Sequence, residues 1–329
     1  MGNNTAISWT DASWNPVVGC SLASPGCTNC YAMPMAARIA KMQPAGHYAG
    51  LTKRVNGHPV WTGKIAPAPD HIWTAPLHWK KPRRIFVNSM GDLFHDDVPD
   101  EWVDRVFAVM ALCPQHKFQV LTKRSKRMRE YMLETWQPAK GFRLSDDFEV
   151  AAETHGETRL SQVERACEPF LQSLGLADTE RDELWTEDGS CKAMQWKWPL
   201  PNCWLGISAE DQLRADERIP DLLATPAAVR FVSYEPALGP IDFEHIHHEY
   251  LEWMSALKRV AEAAWLDWII CGGESGPGHR PMQIEWAESL RWQCKAAGVP
   301  FFFKQDSGPR SGMRGRASDD LWNCKEFPE

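Results

Sequence analysis

The chain has 329 residues, is 43% hydrophobic and 24% charged, and carries a net charge of −7. That globular balance excludes a disordered or fibrous protein, and the acidic sum excludes a global positive field as the basis of nucleic-acid binding. No apolar run approaches the roughly 20 residues a membrane helix needs, and the opening "MGNNTAISWTD" has no basic-then-apolar export signal, so no membrane partner and a cytoplasmic setting are expected.

A first strand is predicted around Ile7 to Trp14, followed by the loop "GCSLASPGCTNCYA" at 19–32. The loop places Cys20, Cys27 and Cys30 in the spacing C-x6-C-x2-C. In a reducing compartment such a trio points to metal or redox chemistry before disulfides. A structural zinc site wants four closed ligands, whereas an iron–sulfur cluster held by three thiolates keeps one iron open. Seven further cysteines and eleven histidines leave a distant fourth ligand open.

Further strands are predicted in "RIFVNSMGD" (84–92), "KFQVLTKR" (117–124), "CWLGISAED" (203–211), "VRFVSYEP" (229–236), "DWIICGGES" (267–275) and "VPFFFKQD" (299–306), about seven in all. Helical periodicity marks 100–113 and 283–298, the latter stopping at Gly298 with Lys295 in its last turn. Residues 136–200 read as an insertion between the third and fourth strands, 243–265 as one long amphipathic helix, and 307–329 as a C-terminal extension of a single domain spanning 1–329. Continuously apolar strands alternating with helices imply an α/β fold with a parallel sheet covered on both faces.

Polar residues gather at the predicted strand ends: Asn88, Ser89 and Asp92; Lys123 and Arg124; Ser208, Glu210 and Asp211; Glu235; Glu274; Lys304 and Gln305. In a parallel barrel those ends share one mouth with the cysteine loop, which makes the set a candidate site for a large polar ligand. Three basic runs stand out, "KKPRR" (80–84), "KRSKRMR" (123–129) and "RSGMRGR" (310–316). The second opens a helix, where the macrodipole disfavours cations, so an anion is expected beside Lys123 and Arg124.

The motifs "ISWTDASWNPVVGCSLASPGCTNCYA", "VNSMGDLFHDDVP", "LGISAED", "FVSYEPALGPI", "CGGESGPGHRPM" and "GVPFFFKQ" occur in that order. Together they resemble the bacteriophage and prophage proteins of the radical SAM-like three-cysteine family, over most of the chain apart from the two insertions and the last twenty or so residues. The family's usual C-x3-C-x2-C is departed from in the longer first spacer.

The resemblance implies a (β/α) barrel or partial TIM-like barrel of the radical SAM type with helical insertions. It also implies a 4Fe–4S cluster on Cys20, Cys27 and Cys30, and S-adenosylmethionine (SAM) bound at the open iron. By position, Ser89, Met90, Gly91 and Asp92 would meet the methionyl amine, with Glu274 of "GGES" the competing candidate; Ser208, Glu210 or Asp211 would suit the ribose; Gly272 and Gly273 would pass close to adenine or substrate, with Glu235 a neighbouring polar contact. Lys123, Arg124, Lys304 and Gln305 would touch substrate.

The implied activity is reductive SAM cleavage, with rearrangement or modification of a nucleobase or amino-acid-decorated pyrimidine in phage DNA, an isomerase or nucleic-acid-modifying reaction. A flavodoxin- or ferredoxin-like donor would supply the electron, and a nucleotide or DNA would be the substrate. Two other classes account for part of the pattern. A zinc or iron–sulfur nucleic-acid-binding module explains the thiols alone, and a barrel hydrolase explains the polar rim alone.

Overall fold

The computed structural model describes residues 5–134, 159–173, 198–248, 252–258 and 264–329. Seven strands form one sheet in chain order: β1 (Ala12–Trp14), β2 (Arg84–Val87), β3 (Lys117–Thr122), β4 (Cys203–Ser208), β5 (Val229–Tyr234), β6 (Trp268–Gly272) and β7 (Phe301–Gln305). Every neighbouring pair is parallel. The seven predicted strands are therefore all present, although β1 is shorter than expected.

Alternation within the strands explains their continuous apolarity. Val87, Val120, Leu205, Val232, Ile269 and Phe303 face outward into a core shared with the helices, while Phe86, Trp204, Phe231, Trp268, Ile270 and Phe302 form a separate inner cluster. Trp9, just ahead of β1, lies 4.7 Å from the Phe86 ring, 6.5 Å from Phe231 and 6.3 Å from Trp268. A residue beside the first strand can touch the fifth and sixth only if the sheet curls, so the architecture is a parallel half-barrel with β1 and β7 at its edges.

Packing inside the curl is tight at Gly206, where a Cβ would sit 2.5 Å from the Phe231 ring. Gly206→Ala is expected to cost about 1–3 kcal/mol as an overpacking change, read as a lower urea midpoint with an unchanged slope.

The outer layer is built from α2 (Asp100–Ala111), α3 (Ser125–Glu134), α4 (Arg159–Ser173), α5 (Gln212–Leu223) and α6 (Ile284–Ala297), whereas α1 (Ala32–Met42) packs on the ribbon Thr52–Val55/His58–Trp61 in a separate cluster with Met90. As expected, α6 ends at Gly298, whose φ of 70° suits glycine. Within the expected 136–200 insertion, α4 buries Val163, Cys167 and Phe170 in the outer core. Residues 136–158 and 174–197 of that region lie outside the described residues. The C-terminal extension folds back on β7: Lys325 bridges to Phe302, and the Phe327 ring packs 5.3 Å from Trp268.

The long helix expected at 243–265 is not what forms. Ile246–His248 and Glu252–Met254 pair as an antiparallel ribbon, with residues 249–251 and 259–263 outside the described set. The cause is tertiary. On α5, Gln212 accepts a hydrogen bond from the Asp242 backbone N–H at 2.7 Å and Asp216 one from His247 at 3.0 Å, holding the chain extended against that helix. His245, His247 and His248 thus sit on this ribbon and its lead-in, not on a helix surface.

Candidate functional site

The inner face changes character along the strands. Its aromatic half lies toward their N-termini, and the same alternation then brings Asn88, Lys123, Ser208, Ser233, Glu235 and Lys304 to the opposite end. These residues and the three cysteines of the loop line one cavity of about 240 Å³, floored by Trp9, Phe86 and Leu121. The expected convergence of strand ends and thiols in one place is therefore observed.

Glycine geometry seats the loop. Gly19, at φ +98°, bridges to Gly91 through an N–H donated to the Met90 carbonyl at 3.1 Å. A Cβ on Gly19 would meet the Lys64 carbonyl at 2.2 Å, and one on Gly91 would meet the Gly19 carbonyl at 2.9 Å. Only glycine permits both approaches. Farther along, the turn Pro25–Cys27 is fastened by the Gly26 N–H, which donates to Glu210 at 3.1 Å. Cys30 then stands just before α1, where the N–H groups of Ala32 and Met33 face its sulfur.

Electrostatics at the thiols are mixed. Burial and the Asp92 carboxylate push the Cys20 thiol up to about 12, against the pull of Arg124, whose Nη1 lies 3.8 Å from its sulfur. Burial also raises Cys30. Neither is a ready thiolate nucleophile by itself. Cys27 and Cys30 both act on Cys20, and Cys27 acts on Cys30, so the three share one locality. Among the described residues, no group of three or more His, Cys, Asp and Glu side chains converges on a single metal position. Of the remaining described cysteines, Cys271, Cys294 and Cys324 lie near one another away from the cavity, and Cys113, Cys167, Cys203, Cys271 and Cys294 are buried.

Around the mouth each of these carboxylates is matched by at least one cation. Arg124 meets Asp92 at 2.9 Å, Lys123 meets Glu210 at 3.2 Å, Lys304 meets Glu235 at 2.8 Å, and Arg280 grips Glu274. The protein thus places anions, Glu210 and Asp92, beside Lys123 and Arg124, and farther along the same run Arg127 pairs with Asp100 and Arg129 with Asp221.

Several expected ligand contacts have structural duties. Asp92 accepts from Thr122 Oγ1 (2.7 Å), Lys123 N (3.1 Å), Phe94 N (3.0 Å) and Arg124. Ser89 donates to Asn15, while Met90 is buried against α1 and does not line the cavity. Asp211 caps α5 through the Arg214 N–H at 3.0 Å. Gly272 makes room for Glu235, and Gly273 for Ser307. Gln305 donates to the Gly273 carbonyl and accepts from Gly312 N–H at 2.7 Å.

Glu210 is fully buried and also meets Arg218 at 3.2 Å. Burial raises its pKa, but Lys123, Arg218 and the Gly26 N–H more than reverse that and hold it below the usual carboxylate range. Glu274 is depressed in the same way, with hydrogen bonds from Arg280 and Asn29 overcoming burial.

Two buried donors on the cavity wall have no partner. Asn88 and Trp9 are each 2% exposed, and Asn88 Nδ2 and Trp9 Nε1 make no hydrogen bond. Asn88 adopts φ 57°, a left-handed conformation that Asn tolerates, immediately after β2. The strand-end pattern flagged Asn88, but only the fold shows that its donor is open. Arg280, Asn29 and Arg218 escaped the sequence reading because they lie in loops and mid-helix, away from strand ends.

A family model described as "Protein of unknown function (DUF5131)" matches residues 4–320. No curated protein and no solved structure matches the chain.

Proposed function

We propose that this chain, which belongs to the DUF5131 family, is a radical SAM enzyme in which Cys20, Cys27 and Cys30 hold a 4Fe–4S cluster and the adjoining cavity takes SAM. What carries the reading is that the three thiols border the same cavity as the strand ends, beside two buried donors without partners. Ligands of a polynuclear cluster each take a separate iron, so they need not converge on one point. A buried donor left open costs about 1–3 kcal/mol, which favours a ligand acceptor facing Asn88 Nδ2 and Trp9 Nε1.

A cluster held by Cys20, Cys27 and Cys30 would supply the one-electron chemistry that cleaves a carbon–sulfur bond of SAM to methionine and a 5′-deoxyadenosyl radical. The chain's own residues do the rest. Asp92 orients Arg124 so that its guanidinium faces the Cys20 sulfur and offsets negative charge there. Glu210 holds the turn between Cys20 and Cys30 through Gly26. Trp9, Phe86 and Leu121 provide an apolar floor that keeps water from a reactive species.

Anaerobic reconstitution tests the reading. The expected product is brown, changes its EPR spectrum on addition of SAM, and releases 5′-deoxyadenosine under a strong reductant. A colourless protein containing stoichiometric zinc, or an iron protein indifferent to SAM, would overturn it.

A further inference from the structure

His95 is 3% exposed and does not line the cavity, but it holds a residue that does. A turn after Asp92 brings it there: the His95 N–H donates to the Asp92 carbonyl at 3.2 Å, and its own carbonyl accepts from Arg127. The imidazole Nε2 then meets Ser21 Oγ at 2.8 Å, and Ser21 directly follows Cys20.

The protons of this contact can be counted. The Asp97 N–H donates to His95 Nδ1 at 3.2 Å, so the neutral ring carries its hydrogen on Nε2 and donates it to Ser21 Oγ. Burial, with Arg124 nearby, holds His95 below its ordinary 6.5, which favours that neutral ring at about pH 7. Arg124 Nη2 donates to the same Oγ at 2.7 Å, while Nη1 meets Asp92 at 2.9 Å and lies 3.8 Å from Cys20 Sγ. Both lone pairs of the Ser21 hydroxyl are thereby filled. Among the described residues no acceptor takes its own hydrogen, and Ser21 borders the cavity together with Cys20, Cys27 and Cys30.

We propose that His95 is a positioning residue: with Arg124 it turns Ser21 into a donor toward the group that Cys20, Cys27 and Cys30 hold, and Ser21 and Arg124 together set how readily that group takes an electron. The proposal rests on the cluster reading and adds to it the tuning of its reduction. The physics has one sign. Reduction adds negative charge, so a hydroxyl donor and a guanidinium beside the cluster sulfurs stabilise the reduced form and raise its potential. Asp92 alone does not supply this, because it fixes Nη1 and leaves Nη2 to Ser21.

Redox titration of the reconstituted chain, followed by EPR, tests it without turnover. Ser21→Ala should make reduction about tenfold less favourable, a shift of about 59 mV to lower potential for one electron. Ser21→Thr keeps the hydroxyl and should stay within about twofold, about 18 mV for one electron. His95→Ala should shift the potential in the same direction as Ser21→Ala, whereas His95→Gln, which retains a side-chain N–H donor, should restore most of the loss. Iron content and thermal melts should match the native chain in all four.

An unchanged or higher potential in Ser21→Ala overturns the proposal, as does a Thr variant as low as the Ala one or a Gln variant no better than His95→Ala. Loss of iron from a folded Ser21→Ala also overturns it, since that assigns Ser21 to seating the loop. If His95→Ala does not fold, the two Ser21 variants and His95→Gln still decide the case. In each of these outcomes the native chain keeps its cluster and the radical reading stands, whereas a native chain that takes up no iron overturns both.

Discussion

Cys20→Ala, Cys27→Ala and Cys30→Ala are each expected to remain colourless and nearly iron-free after anaerobic reconstitution, while Cys113→Ala and Cys294→Ala take up the same iron as the native chain, about four atoms by the cluster assignment. The difference follows from placement. The first three thiols line the cavity beside Arg124, whereas Cys113 and Cys294 are fully buried in the outer core. Iron analysis and the visible spectrum read the result directly. Full iron content in any one of the trio's variants removes that cysteine from the ligand set, and loss of iron in Cys113→Ala ties the effect to folding.

The largest stability effect is expected at Glu210. This carboxylate is fully buried and accepts from Lys123, Arg218 and the Gly26 N–H. Glu210→Ala leaves two cations without their anion, one of them the buried Arg218. Breaking a buried pair this way costs about 3–5 kcal/mol. It also frees the turn between Cys20 and Cys27, so cluster uptake should fall in a variant that touches no sulfur. Urea unfolding and iron content after reconstitution check the two effects. A loss no larger than that of Glu244→Ala, whose carboxylate pairs with Lys258 near the surface, would refute the buried-network account.

The same carboxylates set an acid limit. Glu210, Glu274 and Asp306 all have folded pKa values below their ordinary 4.5, 4.5 and 3.8. A depressed carboxylate contributes stability that is complete above its unfolded pKa and is lost as pH falls through the folded one. Stability should therefore be flat with respect to these groups above about pH 5 and decline below about 4.5, and Glu210→Gln should show a shallower decline. Denaturation midpoints measured across that range test the sign.

The sheet was legible in the sequence because each strand is apolar on both faces, and both faces are buried here: Phe86, Phe231 and Phe302 turn inward while Val87, Val232 and Phe303 turn outward. Strand ends marked by Asn88, Lys123, Ser208, Glu235 and Lys304 were legible for a related reason. A parallel sheet entered in chain order brings every C-terminal end to one rim, so a one-dimensional pattern maps onto one mouth.

By itself, then, the sequence determined the seven parallel strands, the rim, and the meeting of three thiols with it. Only the tertiary structure decided which charges remain available there. Asp92, expected to face a ligand, lines the cavity with its carboxylate already accepting four hydrogen bonds, while Lys123 and Arg124 meet carboxylates from other loops. The ribbon at Ile246–Met254 displaced an expected helix because Gln212 and Asp216 of α5 capture backbone N–H groups there. Strand alternation is a local property of adjacent residues. Pairing of buried charges and capture of a backbone by a distant helix depend on contacts between segments far apart in the chain, and no local pattern encodes them.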